Sequence, residues 1–397
     1  MRIGIFLDQW RDGGVPVFLD RLERQLTDCG HKVFLILADP FPKREALAKE
    51  LYLAIKSRLK ERCISLDLNS YPKEWKKSHF RHAILSLDLD CLLINQFYNH
   101  LSLLKKISSE ISLVSILHTD SDYYYYEFLQ MMGSCSAYIA VSKEIERKCL
   151  ALSSPDEAHK IHHIPYGIVS ETNFDPEPKG VLQIIYSARM DQLQKRCQDL
   201  IPIWNGYCQR GGSGTLTIMG AGQAEKLLAE GFRESIATGR VLMKGHLSSE
   251  DALAVMAKGD VLLNISNFEG LPQVVLEGAS LGLFPLLSDI PSGHREIIET
   301  LGRGTLCHLG DHMAFVNELL KIESNLSLIR SQRAANRSAT LKQYSLPDCC
   351  EKYLKVFQQA STVPRKKPVL NPYKSSLKER IQHAGLRIKY KRHFGSL

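Results

Sequence analysis

Two glutamates stand eight positions apart in the most informative segment of this 397-residue chain. Glu269 lies in a Glu-Gly-Leu-Pro turn, and Glu277 lies on the helix that this turn is predicted to open. The apolar run 260–266 predicts a short buried strand before the turn. Pro272 suits the first position of a helix, because its missing N–H would be unpaired there, and Gly270 lets the backbone approach a ligand. Two carboxylates on such a strand–turn–helix unit can hold two polyhydroxylated parts of one ligand.

Basic residues and glycines follow other predicted strands. Arg189 and Lys195 come after the apolar run 182–188, where they could neutralise a diphosphate or simply belong to a solvated loop. Gly13 and Gly14 precede a helical pattern. Backbone N–H groups exposed at such a turn suit a phosphate, although a tight turn needs the same residues.

A histidine and a second glycine turn complete the set of candidates. His118 follows the predicted strand 112–117, and a histidine in that place is as often structural as functional. Gly220 and Gly222 follow another predicted strand, but Glu225 stands where a dinucleotide fingerprint requires glycine. This difference argues against an NAD-type turn.

Short apolar runs alternate with longer amphipathic runs along the whole chain. This alternation predicts an α/β protein whose parallel sheets are covered by helices on both faces. The linker-like polar stretch in the middle divides the pattern into two Rossmann-like halves, with ligands expected in a cleft at the carboxyl ends of the strands. The predicted strands are 3–7, 32–37, 63–68, 91–95, 112–117 and 137–141 in the first half, and 182–188, 215–219, 241–244, 261–265 and 283–287 in the second.

The same pattern sets the expected domain limits. Residues 1–170 form an N-terminal Rossmann-like domain, and 171–180 form the linker. Residues 181–345 form a C-terminal Rossmann-like domain. Residues 346–360 are predicted to form a terminal helix that packs back toward the N-terminal domain, and 364–397 form a basic tail.

The charge of the chain is concentrated in that tail. The whole chain has a net charge of +8, and residues 364–397 contain ten Lys or Arg and one acid. The basic pI therefore does not indicate a nucleic-acid-binding domain. Apolar residues recur in the tail at helical spacing, which favours a basic amphipathic helix on an anionic membrane face over a disordered tail.

Cysteine usage and hydropathy indicate the compartment. The ten cysteines form no C-x-x-C pair, so buried free thiols in a reducing compartment are favoured over a zinc site. No apolar run approaches the roughly 18 residues of a membrane span, and the N-terminus is not typical of a signal peptide. We expect a cytoplasmic protein, peripheral at the inner membrane face if the tail binds lipid.

In order along the chain, these motifs resemble those of glycosyltransferase family four, the retaining nucleotide-sugar transferases of the GT-B fold. The resemblance covers residues 1–360, and its most specific part is the pair of glutamates with Arg189 and Lys195 upstream. The motifs are Gly13-Gly14, Gly30-His31-Lys32-Val33, His118, Ala140-Val141-Ser142, Pro165-Tyr166-Gly167, Arg189 and Lys195, Gly220-x-Gly222, and Glu269 with Glu277.

The resemblance implies that the N-terminal domain, 1–170, lies on the acceptor side and that the C-terminal domain, 181–345, binds the nucleotide sugar. It also implies a role for each candidate residue. Arg189 and Lys195 would hold the diphosphate and stabilise it as it leaves, which fits the charge that develops in sugar transfer. Glu277 would accept hydrogen bonds from the ribose hydroxyls. The remaining residues would contact the donor sugar (Glu269, Gly270, Leu271 and His118) or the phosphates and nucleotide (Gly13, Gly14 and Gly220).

The resemblance also implies the reaction. It predicts a metal-independent, retaining hexosyltransferase without a cofactor, whose donor is a UDP- or GDP-linked sugar. The acceptor would be a glycan or a lipid-linked molecule in cell-surface polysaccharide synthesis, and no nucleic acid would bind. Two alternatives stay open: a nucleotide-sugar epimerase of the same fold, and a non-catalytic GT-B scaffold.

Overall fold

The computed structural model describes residues 1–10, 13–39, 49–95, 100–169, 178 and 180–362. These residues form two compact units. The first comprises Met1–Pro165 and the chain from Pro347 onward, and the second comprises Tyr166–Leu346. The predicted basic tail and all but two residues of the predicted linker lie outside the described residues.

A parallel sheet of seven strands forms the centre of the first unit, in the order β3-β2-β1-β4-β5-β6-β7. The strands along the middle of this sheet are buried over their full length, as expected for a parallel sheet with both faces covered. The strands are β1 (Arg2–Gln9), β2 (Lys32–Asp39), β3 (Cys63–Ser65), β4 (Cys91–Ile94), β5 (Ser112–Leu117), β6 (Ala137–Ala140) and β7 (Ile161–His163).

Eight helices belong to the described part of the first unit. Most of them connect consecutive parallel strands, as right-handed crossovers require, and the last one follows the second unit in the chain. They are α1 (Gly14–Asp28), α2 (Lys49–Leu59), α3 (Lys73–Leu85), α4 (Leu101–Ile107), α5 (Asp122–Met131), α6 (Lys143–Leu152), α7 (Pro155–Ala158) and α17 (Leu346–Thr362).

A second parallel sheet of six strands forms the centre of the second unit, in the order β10-β9-β8-β11-β12-β13. Its hydrophobic core includes Trp204 and Tyr207, which are 2% and 0% exposed. The strands are β8 (Gln183–Ser187), β9 (Thr215–Met219), β10 (Val241–Met243), β11 (Val261–Asn264), β12 (Phe284–Ser288) and β13 (Thr305–Cys307).

The helices of the second unit again alternate with the strands. Two of them begin at a side chain that accepts a backbone hydrogen bond: Ser248 Oγ accepts from Asp251 N at 3.1 Å, and Asp311 Oδ1 accepts from Ala314 N at 2.9 Å. They are α8 (Leu200–Gln209), α9 (Glu225–Gly231), α10 (Arg233–Ala237), α11 (Ser249–Met256), α12 (Gln273–Ser280), α13 (His294–Leu301), α14 (His312–Ser324), α15 (Leu326–Ser331) and α16 (Arg333–Gln343).

The predicted fold class is confirmed: each unit is an α/β sandwich around a parallel sheet. All eleven predicted strands are present. The strands β7 and β13 were not predicted, because Ile161-His-His163 and Thr305-Leu-Cys307 mix apolar and polar residues over only three positions. The strands β3 and β10 are equally short, but they lie in the longer predicted segments 63–68 and 241–244. Pro272 is the N-cap residue before α12 rather than the first helical residue, a difference of one position.

Candidate active site

The candidate residues of the second unit follow three neighbouring strands. β9, β8 and β11 are adjacent in the sheet, and Arg189, Gly220 and Glu269 come after their respective carboxyl ends. Because parallel strands end at the same edge, the three loops lie side by side. The sheet order therefore brings together residues that are far apart in the sequence.

An ion pair joins two of these loops. Lys195 donates from Nζ to Oε1 of Glu269 at 2.5 Å, and the two side chains are 14% and 7% exposed. Burial by itself would raise the pKa of Glu269, but the charge and hydrogen bond of Lys195, together with His294 and Ser266, hold that pKa below its usual value. Glu269 is therefore an ionised acceptor at neutral pH, suited to receive hydroxyl hydrogens and unsuited to donate a proton.

Gln194 ties the same loops together through its backbone and side chain. Its carbonyl accepts from Asn267 N at 2.7 Å, and its Nε2 donates to the carbonyl of Phe268 at 3.3 Å. Its Oε1 accepts from Arg189 at 2.9 Å. Gln194 therefore fixes the positions of Arg189 and of the turn before Glu269, a role that the sequence analysis did not assign.

The turn after Glu269 is held by the loop that precedes α13. Ser292 Oγ donates to the carbonyl of Gly270 at 2.9 Å, and Leu271 is buried. Gly293 has a φ of +77°, and a Cβ there would lie 2.6 Å from the Gly270 oxygen and 2.7 Å from Pro272 Cδ. Only glycine fits this contact, so Gly293 sets how closely the loop supports the turn.

His294 is a buried member of this polar group that the sequence analysis missed. It is 0% exposed, and its Nδ1 lies 2.7 Å from the carbonyl of Ser288, which makes Nδ1 the protonated nitrogen. Ser288 Oγ in turn donates to the carbonyl of Ser266 at 2.6 Å. Burial lowers the pKa of His294 to about 4, although Glu269 acts in the opposite direction. The imidazole is thus neutral at physiological pH.

Glu277 is the fifth residue of the eight in α12. It is half-buried, and the carbonyl of the same residue accepts from Ser280 Oγ at 2.7 Å. The adjacent Gly278 packs against β11, where an added Cβ would lie 2.8 Å from Leu262 Cδ2. This close packing fixes the helix that carries Glu277 against the strand that leads to Glu269.

Gly220 is packed against a neighbouring loop, whereas Arg189 is exposed. The Gly220 amide donates to the carbonyl of Gly245 at 2.8 Å, and a Cβ at Gly220 would lie 1.9 Å from the Ala188 oxygen. Its glycine is therefore required by packing between the loops after β8 and β9, and its role toward a donor stays a prediction. Arg189 is exposed, so its guanidinium can reach a ligand.

In the first unit, His118 is held by Asn95 at the ends of two neighbouring strands. His118 Nε2 lies 2.8 Å from Asn95 Oδ1, while Asn95 Nδ2 donates to the carbonyl of Phe6 at 3.2 Å. The amide oxygen thus faces the ring, so Nε2 carries the proton. Burial lowers the pKa of His118 to about 3, which makes it a neutral residue.

Two further features lie at the same edge of the first sheet. Gly13 has a φ of +143° and precedes α1 as its N-cap residue, with no atom within 4 Å of an added Cβ; Gly14 is the first residue of that helix. The buried side chains of Asp8 and His100 are hydrogen-bonded to each other, a contact that the sequence analysis did not identify. The predicted roles of Gly13 and Gly14 toward phosphates stay predictions.

The predicted site residues thus fall into two groups, one in each unit. The second unit holds Arg189, Lys195, Gly220, Glu269, Gly270, Leu271 and Glu277, and the first holds Gly13, Gly14 and His118. Among the residues that the structure describes, no three His, Cys, Asp or Glu side chains are grouped so that they could hold a metal ion. Within the same ranges, no helix is long and apolar enough to cross a membrane.

The sheet that carries the Lys195–Glu269 pair lies in a segment with known relatives. Residues 182–325 match the family of glycosyl transferases group 1. This segment includes all the candidate residues of the second unit. The second unit is therefore similar, over this segment, to the glycosyl transferases group 1.

Two curated relatives extend the similarity. The chain is 30% identical over 197 residues to the lipopolysaccharide 1,6-galactosyltransferase of Escherichia coli (strain K12). These matched residues cover 47% of the chain and 53% of the relative. It is 25% identical over 255 residues to the enzyme of the same name from Salmonella typhimurium, covering 63% of the chain and 68% of that relative. The matched segment thus spans about half the length of the first relative.

Solved structures of similar fold cover nearly the whole chain. The pneumococcal O-GlcNAc transferase GtfA, solved with UDP and GlcNAc, has a TM-score of 0.73 at 13% identity and covers 91% of this chain and 99% of its own. Anabaena HepE with UDP-glucose gives 0.70 at 13% identity, with coverages of 90% and 99%. The apo lipopolysaccharide outer core galactosyltransferase WaaB gives 0.66 at 18% identity, with coverages of 90% and 99%. The fold is GT-B, as the resemblance predicted.

Proposed function

We propose that this protein is a glycosyltransferase that moves a hexose from a nucleotide diphosphate donor to a glycan or lipid-linked acceptor in cell-surface polysaccharide synthesis. The observation that carries the proposal is the buried Lys195–Glu269 pair at the strand edge of the segment similar to the glycosyl transferases group 1. This pair places a cation, suited to a diphosphate, beside an ionised carboxylate, suited to sugar hydroxyls.

The chemistry follows from these charges. As the bond between the sugar and the diphosphate breaks, negative charge grows on the leaving oxygen. Lys195 and the exposed Arg189 can strengthen their hold at that moment, which lowers the barrier. Glu269 would orient the sugar through its hydroxyls, and Glu277 would accept from the ribose. His118 and His294 are neutral, so their proposed contribution is hydrogen bonding rather than charge.

UDP-linked sugars are the donors we favour. GtfA and HepE were solved with UDP or UDP-glucose, and both curated relatives are named as galactosyltransferases. We therefore place UDP-galactose first among the donors. Membership of glycosyltransferase family four, a retaining outcome and independence from metal ions are further parts of the proposal. The Lys and Arg side chains take the role that a divalent cation would otherwise have.

A panel of nucleotide sugars tests the proposal. UDP-galactose, UDP-glucose, UDP-N-acetylglucosamine and GDP-mannose would be compared by thermal shift, since a ligand at a hundred times its Kd stabilises by about 2.7 kcal/mol. Release of nucleotide diphosphate with a transferred sugar supports a transferase. An isomerised nucleotide sugar without free diphosphate would instead identify an epimerase, and failure to bind any of the four would favour a scaffold.

Two measurements test the finer parts. The anomeric configuration of the product, determined by NMR, distinguishes retention from inversion. Activity that persists in excess EDTA supports metal independence, whereas activity that returns only with a divalent cation contradicts it.

The basic tail is proposed to bind an anionic membrane face. Its residues, 364–397, lie outside the described part of the chain, and the proposal rests on their charge and helical spacing. Each basic residue near an anionic surface adds roughly 1 kcal/mol to binding. Deletion of the tail should weaken binding to anionic vesicles. Vesicle affinity equal to that of the full chain would contradict the proposal.

A further inference from the structure

Helix α5 starts at the edge of the first sheet where ligands of α/β proteins bind. Strand β5 ends at Leu117 and α5 begins at Asp122, so His118 and the first turn of the helix both lie at the carboxyl end of the sheet. The rings of His118 and Tyr124 meet edge to face, with centroids 6.4 Å apart. The start of α5 is therefore continuous with the candidate site of the first unit.

Four consecutive tyrosines, 123–126, occupy the first turns of α5, and the fold divides them into two pairs. Tyr124 and Tyr125 are 6% and 0% exposed and belong to the core. Tyr126 is 36% exposed, and Tyr123 is half-buried. In a helix, positions 123 and 126 are neighbours on one face, whereas 124 and 125 point toward the opposite side. Two tyrosine rings therefore lie on the outer face of α5.

The protein holds Tyr123 in a fixed orientation. Its ring meets that of Tyr124 edge to face, with centroids 5.8 Å apart. The hydroxyl of Tyr123 donates to the carboxylate of Glu127, a side chain that is buried. A ring that is held by a neighbouring ring and by a hydrogen bond loses little conformational entropy when a ligand packs on it. Tyr123 is therefore suited to be part of a preformed binding surface.

Two polar side chains complete the outer face of the helix. Asp122, Tyr126 and Gln130 follow one another at four-residue spacing, which places them along one side of α5. Asp122 is exposed and Gln130 is half-buried. Together with Tyr123, these residues form the α5 face. The one charged residue among the four is Asp122, whereas Lys105, which donates to Gln130 Oε1 at 3.4 Å, belongs to the neighbouring helix α4.

A lysine near the start of α5 is already paired with an acid. Lys148 of α6 donates from Nζ to the two carboxylate oxygens of Asp120 at 2.7 and 2.8 Å. Asp120 also accepts from the hydroxyl of Tyr125 at 2.6 Å. Because Lys148 is paired, the charge that the α5 face presents is the negative charge of Asp122. Such a surface does not suit the phosphates of lipids or nucleic acids.

The α5 face combines the two kinds of group that a sugar ring can contact. The C–H groups on one side of a sugar ring form an apolar surface that packs on the π face of tyrosine. The hydroxyls of the sugar can donate to a carboxylate and exchange hydrogen bonds with an amide, the groups that Asp122 and Gln130 supply. An uncharged sugar is therefore a ligand that could contact all four residues of the face.

We propose that the α5 face binds an uncharged sugar ring of the glycan acceptor, at the same sheet edge as His118. The sugar packs on Tyr123 and Tyr126, and its hydroxyls bind Asp122 and Gln130. The proposal rests on the proposed function, because it takes the acceptor to be a glycan. It assigns recognition of the acceptor to residues that have no proposed role toward the donor.

Calorimetry with an oligosaccharide tests the α5 face. The probe is core oligosaccharide released from bacterial lipopolysaccharide and dephosphorylated, and it is titrated into the full chain without a nucleotide sugar. We expect saturable binding that weakens about tenfold in Tyr126→Ala, the effect of one lost aromatic contact. The matched control is Tyr71→Ala, because Tyr71 has the same exposed fraction of 36%. The proposal is overturned if the parent protein does not bind the probe, or if the two variants have the same affinity.

Two further variants identify the groups that bind the probe. Tyr126→Phe keeps the ring, so its affinity should stay within about twofold of that of the parent protein. Asp122→Asn replaces a charged acceptor by a neutral one, so the affinity should fall about fivefold. If Tyr126→Phe binds as weakly as Tyr126→Ala, stacking on the ring is excluded. Tighter binding by Asp122→Asn would indicate an anionic ligand and would equally overturn the proposal.

Transfer kinetics separate this proposal from the proposed function. With UDP-galactose as donor, Tyr126→Ala should raise the KM for the oligosaccharide about tenfold and leave the KM for the donor unchanged. Oligosaccharide binding that requires Tyr126, without transfer from any nucleotide sugar, would refute the proposed function and retain the α5 face as a glycan site. Transfer with the same oligosaccharide KM in Tyr126→Ala and the parent protein would retain the function and refute the α5 face.

Discussion

Lys195 Nζ and Glu269 Oε1 lie 2.5 Å apart, so the cation proposed to hold a diphosphate is already paired with the carboxylate proposed to hold a sugar. The two groups come from loops that follow adjacent strands, β8 and β11. A diphosphate that binds Lys195 must therefore share it with Glu269. In the proposed function, the pair would link recognition of the sugar to stabilisation of the leaving group.

Replacement of Glu269 should separate these two functions. Glu269→Gln keeps the shape but removes the charge, so Lys195 becomes available to a diphosphate. We expect the affinity for UDP, which has no sugar, to be unchanged or higher, while transfer from the UDP-sugar falls about a hundredfold. Calorimetry with UDP and initial rates with the full donor measure the two effects. A parallel loss of UDP affinity and transfer would contradict the assignment of Glu269 to the sugar.

Replacement of Lys195 should lower turnover more than donor affinity, because its hold tightens as the diphosphate leaves. For Lys195→Met we expect kcat to fall about a hundredfold with a small change in KM. Arg196→Met is the control, since Arg196 is bonded to Asp199 at 2.8 Å rather than to the site. A rise in KM at constant kcat would show that Lys195 contributes only uniform binding.

The stability of these variants separates folding from catalysis. Removal of either Lys195 or Glu269 leaves the charge of its partner unpaired, which should lower the free energy of unfolding by about 3 kcal/mol. The double variant Lys195→Met with Glu269→Gln leaves no unpaired charge, so it should regain most of the free energy of unfolding without regaining turnover. Denaturant titration of the three variants measures this. If the double variant is as unstable as the sum of the single ones, the two residues are not coupled.

Glu277→Ala is expected to weaken nucleotide binding by about ten- to a hundredfold, as for the loss of hydrogen bonds to a charged acceptor. Calorimetry with UDP measures the change. The matched control is Glu299→Ala, at an exposed glutamate on α13 of the same unit. UDP affinity that is the same in Glu277→Ala and in the parent protein would refute the proposed contact with the ribose.

Local pattern was sufficient to predict most of the fold and the elements of the site. The apolar run before Glu269, the Glu-Gly-Leu-Pro turn and the helix bearing Glu277 all lie where the sequence predicted them. Continuous apolar runs such as that of β5 indicate a strand with both faces covered, and they need no information from distant parts of the chain. The two strands that were missed lack such a run, because Ile161-His-His163 and Thr305-Leu-Cys307 mix apolar and polar residues.

Contacts between distant segments could not be predicted in the same way. The Lys195–Glu269 pair and the hydrogen bonds of Gln194 depend on which strands are neighbours in the sheet. Strand order cannot be derived from local periodicity of the sequence. His294 lies 25 positions after Glu269, and nothing in its own segment indicates that the two interact. For such residues the informative quantity is burial of a polar group, which appears only in the folded chain.

Gly293→Ala should damage the turn that holds Glu269. A side chain at a φ of +77° is strained, and its Cβ would meet the Gly270 oxygen at 2.6 Å, so we expect a loss of about 3 kcal/mol. Gly302→Ala provides the control, because Gly302 has a φ of +61° with nothing within 4 Å of an added Cβ. That change should cost about 1 kcal/mol. Equal losses in unfolding titrations would show that the contact with the turn is unimportant.

The buried, neutral His294 predicts how the stability of the second unit depends on pH. Its pKa is about 4 when folded and near 6.5 when unfolded, so the unfolded chain binds the extra proton between these values. The contribution of the neutral His294 to the free energy of unfolding is complete above pH 6.5. It is lost as the pH falls toward 4, at about 1.4 kcal/mol per pH unit. Glu269, whose folded pKa lies below its usual value of 4.5, adds to this loss at the acid end of the window, because the unfolded chain binds its proton first as the pH falls.

Denaturant unfolding at several pH values between 4 and 6.5 measures the effect, in the full chain and in His294→Gln. The variant removes the titrating group, so one proton fewer is taken up on unfolding. The free energy of unfolding of the variant should therefore depend less steeply on pH than that of the parent protein. His82→Gln, at an exposed histidine of the first unit, should keep the parent slope. If His294→Gln and the parent protein lose stability in parallel as the pH falls, then His294 already exchanges its proton in the folded state, and the packing of Ser288 and Glu269 around it does not keep it neutral.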